Sequence, residues 1–89
     1  MTGLNIDLMK RVMIDTHIVI WLYINKLESI SRRALDIIES HDLFISPIIL
    51  LELQYLYEIN KLSDKPKEIY KDLRYRIGLE IEEKISWAT

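Results

Sequence analysis

Two carboxylates stand where side chains can do chemistry. Asp15 directly follows the apolar run Val12-Met13-Ile14. A short apolar run of this kind reads as a buried strand, which puts Asp15 at the strand's carboxyl end. In open α/β sheets, ligands gather outside those ends. An aspartate there also fits as the cap of a following helix, and the two roles are compatible. Glu52 lies in the stretch SPIILLEL, from Ser46 to Leu53. On a helix its neighbours three and four positions away are Ile48, Ile49, Tyr55 and Leu56. Gln54, Glu58 and Lys61 fall on the opposite side. The spacing therefore predicts an acid in the middle of the inward stripe. A buried carboxylate without a partner is costly, so such an acid calls for a metal, a cation or a donor. Acids held inward cluster at functional sites. The plain alternative is a rim position or a salt bridge to Lys or Arg.

Two acids from different elements, with no cysteine in the chain, suit a hard ion such as Mg²⁺ or Mn²⁺. Such an ion activates water and stabilises charge on a phosphate. His17 and His41 are too few and too far apart for a zinc site. His17 stands two residues after Asp15 and reads first as a helix-surface side chain, and His41 falls in a loop. Lys67, Lys71 and Arg74 fall at i, i+4 and i+7, a basic stripe able to meet RNA phosphates. Glu68 and Asp72 lie among them, so a solvated face is the plain reading. Trp21, Tyr23, Tyr55 and Tyr57 can stack on bases, and fit equally as core or interface residues.

The elements that must position these groups follow from the pattern. A helix is predicted over Thr16–Ile24, although its β-branched residues make a longer strand the competing reading. A second helix spans Ser31–Ser40, capped by Ser29 or Ser31, with Ala34, Leu35, Ile37 and Ile38 facing inward. Leu43-Phe44-Ile45 is a second strand. Pro47 opens a helix that reaches about Asn60, with Ser46 as its cap. Asp64 is placed to cap a fourth helix opened by Pro66 and stopped at Gly78, with Ile69, Leu73 and Ile77 as its apolar stripe. Leu79–Glu82 alternates as a strand would, and Ser86 is placed to cap a further helix. Strands alternating with helices give an α/β fold with a short parallel sheet.

The 89 residues suffice for one small domain. An apolar share of 49% argues for a packed fold and against disorder. The net charge of -2 excludes a whole-domain basic footprint, so nucleic-acid binding must rest on a local patch or a metal. Lys10-Arg11 and the apolar stretch after them resemble a signal peptide, but Asp15 and His17 interrupt it and no small-residue cleavage site follows. The uncharged runs are too short to span a bilayer. A cytoplasmic location without membrane attachment is the expectation, and the lack of cysteine suits a reducing compartment. The first eight residues show no clear pattern, and Met9 is a plausible alternative start.

VMIDTHIVIWL followed by LFISPIILLEL resembles the opening of VapC-type PIN domains. The likeness runs from about Arg11 to the end, which divides the chain into an N-terminal extension, 1–10, and a partial PIN domain, 11–89. It implies a PIN-like three-layer α/β/α fold with a short parallel sheet, incomplete at the C-terminus. It also implies that Asp15 and Glu52 are metal ligands and catalytic residues for Mg²⁺ or Mn²⁺. Thr16 supports them through its hydroxyl. The family places a third acid, often a fourth, in a later Asp-Pro-Phe-Asp-Arg-like stretch. No such stretch occurs here, and Glu80, Glu82 and Glu83 stand in a different context.

The resemblance therefore implies a homologue of Mg²⁺-dependent endoribonuclease toxins, which hydrolyse phosphodiesters with metal-activated water. The alternative is a catalytically inactive fragment that only dimerises or binds antitoxin. Implied partners are RNA, a cognate antitoxin and a second copy of the chain. An apolar groove among the first, third and fourth helices would suit an antitoxin peptide. Haloacid-type phosphatases also open with an aspartate after a strand, but they need a second aspartate where His17 stands. With only Gly3 and Gly78, no phosphate-cradling glycine loop exists.

Overall fold

The apolar runs before Asp15 and Ser46 become neighbouring parallel strands, and the helices between them supply the apolar face they need. A computed structural model describes residues 4–6 and 10–82. In chain order it contains β1 (Leu4–Ile6), β2 (Arg11–Ile14), α1 (Thr16–Tyr23), a 3₁₀ turn (Leu27–Ser29), α2 (Arg32–Ser40), β3 (Asp42–Ile45), α3 (Pro47–Glu58), α4 (Pro66–Ile77) and β4 (Glu80–Ile81). The four strands form one sheet in the order β1-β2-β3-β4. β2, β3 and β4 run parallel, with Val12 beside Leu43 and Ile45 beside Ile81. β1 lies antiparallel on the outer side of β2, with Asn5 opposite Met13. The mixed α/β architecture with its short parallel sheet agrees with the expected PIN-like α/β/α fold.

One face of the sheet is sealed. Val12, Ile14, Leu43 and Ile45 are buried there with Ile18, Val19 and Leu22 of α1, Ile49 and Leu53 of α3, and Ile69 and Leu73 of α4. Each fully buried Leu or Ile contributes about 1.5–3 kcal/mol. On the other face Met13 and Phe44 are only half-buried, so the strands are not enclosed on both sides as an apolar triplet suggests. Arg11 covers Phe44 there, its guanidinium 5.2 Å from the ring centre.

The helix ends follow local chemistry. Ser31 caps α2 by accepting from the Ala34 amide at 3.1 Å, and Ser29 sits in the 3₁₀ turn instead. Gly78 closes α4 at φ 73°, a left-handed conformation that suits glycine. α1 is a helix, not the competing strand, and Arg76 satisfies the exposed carbonyls at its end. The Arg76 guanidinium donates to Leu22 O at 3.1 Å and Tyr23 O at 3.0 Å while pairing with Asp72.

Three expectations need correction. Ser46 occupies the cap position of α3 but makes no side-chain bond there. Asp64 does not cap α4, whose cap residue is Lys65. The Asp64 carboxylate instead accepts from the Tyr23 hydroxyl, tying the loop before α4 to α1. Ile77 is 37% exposed, because the stripe of α4 leaves the core after Leu73. The expectations for Met9, Glu83 and Ser86 lie outside the described residues.

The hydrogen bond to Asp64, then desolvation, pushes the Tyr23 hydroxyl up to about 12 from 10.0. The folded state thus favours neutral Tyr23. Its contribution to stability is complete below the unfolded pKa near 10.0 and disappears as pH rises through about 12. In a spectrophotometric titration Tyr23 should therefore ionise near pH 12, and Tyr23→Phe should delete that step. A Tyr23→Phe curve that keeps the high-pH step shows that the bond does not form.

Candidate functional site

Asp15 ends β2 and starts α1. Its Oδ1 accepts the Ile18 amide at 3.1 Å, so the carboxylate is pinned at the helix start, as the capping role requires. Thr16, the next residue, is buried, and its hydroxyl donates to Oε1 of Glu52 on α3. This one bond joins the two elements at the carboxyl end of the parallel strands. The structure thus brings Glu52 to the residue directly after Asp15.

The path by which Glu52 arrives differs from the expectation. The inward side of α3 is Ile49 and Leu53. Glu52 is exposed, at the rim. Its helical neighbours Ile48 and Tyr55 are themselves 54% and 61% exposed, and Leu51 is 68% exposed. The helix is apolar nearly all round, so its outward residues mimic a core stripe. The cost of burying a charge therefore does not apply to Glu52. The Thr16 hydroxyl and the meeting of elements hold it in place.

Asp15 and Glu52 each use one carboxylate oxygen internally. Among the described residues, no hydrogen bond reaches Asp15 Oδ2 or Glu52 Oε2. The oxygen donors of Asp15, Glu52 and Thr16 are two carboxylates and a hydroxyl, and exposed His17 lines the same groove as Glu52. That chemistry fits a hard divalent ion whose shell is completed by waters and substrate phosphate, as Mg²⁺ sites commonly are. Among the described residues there is no group of three or more His, Cys, Asp or Glu side chains placed to hold an ion.

The expected apolar groove among the helices is present as two grooves. One, of about 570 Å³, runs between α1 and α3, with Thr16 and Glu52 in its wall and Ile20, Ile48, Leu51 and Tyr55 around them. The second, of about 490 Å³, runs between α3 and α4. Leu51 lines both.

The expected basic stripe is only partly available. Lys67 and Lys71 are exposed on α4. Arg74 is tied to Glu80 at 3.2 Å and to the Tyr70 hydroxyl at 3.2 Å. Lys65 joins Lys67 in lining the second groove, a residue that helical spacing misses because it precedes the helix. Its signal was its place beside Pro66, a helix-opening residue. Exposed His17 sits 5.8 Å from the Trp21 ring, and His41 bonds to Ile37 O at 3.0 Å, away from the acids. Trp21 and Tyr23 pack against the core, whereas Tyr55 lies open on the first groove.

No helix among the described residues is long and apolar enough to cross a membrane. A family model described as PIN domain matches residues 12–87. No curated protein and no solved structure matches the chain.

Proposed function

This chain belongs to the PIN domain family, and from that premise we propose that it is a metal-dependent endoribonuclease of the VapC toxin kind. The family is nuclease-like, and the toxin role, the RNA substrate and the ion are the finer parts of the reading. The observation that carries it is the Thr16–Glu52 hydrogen bond, which holds an acid of α3 against the turn that carries Asp15. In this reading residues 1–10 are an extension ahead of the domain. Asp15 and Glu52 hold Mg²⁺ or Mn²⁺, and Thr16 positions Glu52. When bound, the ion lowers the pKa of a coordinated water and neutralises charge on the phosphate.

The protein's own residues do the rest. Asp15 is fixed by the Ile18 amide, so its second oxygen keeps one orientation. Thr16 removes one lone pair of Glu52 from competition and leaves the other oxygen to face a ligand. No Asp-Pro-Phe-Asp-Arg-like stretch occurs in residues 1–89, so Asp15 and Glu52 are the acids that this reading assigns to the ion. A cytoplasmic chain, a second copy and an antitoxin peptide in the apolar groove belong to the same reading.

The test is cleavage of a mixed RNA pool with added Mg²⁺ or Mn²⁺, wild type against Asp15→Asn. Asp15→Asn should lower the metal-dependent rate at least roughly a hundredfold, since a charged ligand is replaced by a neutral one of the same shape. Cleavage that survives the substitution overturns the site. No metal-dependent cleavage by the wild type supports the inactive binding module instead.

A further inference from the structure

Lys65 and Lys67 flank Pro66 at the start of α4, and both line the groove between α3 and α4. Both are exposed. Among the described residues neither forms an ion pair. No acid lines this groove, since Asp64 lines a separate one beside Tyr23, and Asp72 pairs with Arg76. Lys65 and Lys67 therefore give the groove wall positive charge, in a chain whose net charge is -2.

The remaining walls are Leu50, Leu51, Gln54, Pro66, Tyr70 and Ile81. They offer mainly apolar contact, one amide and no further cation, as suits unpaired bases on a backbone held by its phosphates. Leu51 also lines the groove that holds Thr16 and Glu52, so the two grooves adjoin at this residue.

We infer that the α3–α4 groove is the track for a single RNA strand, with Lys65 and Lys67 neutralising two of its phosphates as the strand leads to Asp15 and Glu52. This rests on the nuclease reading and adds where its substrate lies. It replaces the regular Lys67–Lys71–Arg74 stripe, from which Arg74 is withdrawn by Glu80 and Tyr70. Two phosphate contacts on a single strand correspond to a slope of about 1.4 in log affinity against log salt.

The experiment is fluorescence anisotropy of a short labelled oligouridylate, with chelator present to prevent cleavage, across a KCl series. The full chain is compared with Lys65→Gln/Lys67→Gln and with Lys26→Gln/Arg33→Gln, whose side chains are also exposed. The first variant should bind roughly fivefold to tenfold more weakly near 0.1 M salt and lose about 1.4 from the slope. The second should leave the slope unchanged. An unchanged slope in the first variant, or no binding by the wild type, overturns the track. So does a glutamate-rich peptide that binds the wild type better than RNA and loses binding in the first variant, since the groove would then serve a protein. If cleavage falls in Asp15→Asn while the slope ignores the lysines, only the track is lost. If the slope responds and Asp15→Asn still cleaves, the track stands and the acid site fails.

Discussion

Leu53→Ala should remove about 2–5 kcal/mol of stability, whereas Leu51→Ala, on the same helix, should change it by less than about 0.5 kcal/mol. The two residues are chemically identical and two positions apart. Leu53 is 0% exposed and Leu51 is 68% exposed. A chain of 89 residues holds only about 4–13 kcal/mol in total, so the first loss is a large share of the whole. Urea unfolding followed by circular dichroism should show the midpoint of Leu53→Ala drop sharply with little change in slope. Equal losses for the two variants would mean that α3 is rotated from its described orientation. The matter bears on function because Glu52 lies between them. With about 100° of rotation per residue, seating Leu53 in the core is what turns Glu52 to the rim beside Thr16.

Thr16→Val should weaken divalent-ion binding roughly tenfold to a hundredfold, the usual cost of losing a partner that orients a ligand. Valine keeps the shape of threonine, so the buried position stays filled while the hydroxyl that donates to Glu52 is gone. Glu52→Gln should cost at least as much, because it removes a charge as well as an orientation. Thr16→Ser should restore most of the affinity, since serine keeps the donor. Calorimetric titration with Mn²⁺ reads these effects without reference to cleavage. Wild-type affinity in Thr16→Val would show that the hydroxyl serves the fold and not the ion.

Two strands and two helix ends were legible because single local rules decide them. The triplets before Asp15 and Ser46 form β2 and β3, Ser31 caps α2, and Gly78 stops α4. Where two rules compete, the sequence was ambiguous. α3 carries apolar residues at Ile48, Leu51 and Tyr55 as well as at Ile49 and Leu53, so periodicity cannot say which stripe meets the core. Glu52 was therefore expected on the inward stripe, whereas it lies exposed at the rim. Its partner is Thr16, whose contact spans 36 positions and leaves no local trace. Asp64 shows the same limit, since a residue well placed to cap α4 is drawn off by Tyr23, 41 positions away. Leu4–Ile6 had no pattern of its own and becomes a strand only by pairing with β2.

That pairing has a bearing on how the protein behaves in a tube. β1 precedes the residues that match the family, 12–87, yet it lies along Val12, Met13 and Ile14. An unguarded strand flank recruits other polypeptides into fibre-like association. β1 covers the flank of β2 and offers a shorter one of 3 residues in its place, so resistance to clumping rests partly with a segment that the family pattern does not include. An affinity tag, a protease cut or initiation at Met9 would act on colloidal behaviour before it touched any carboxylate.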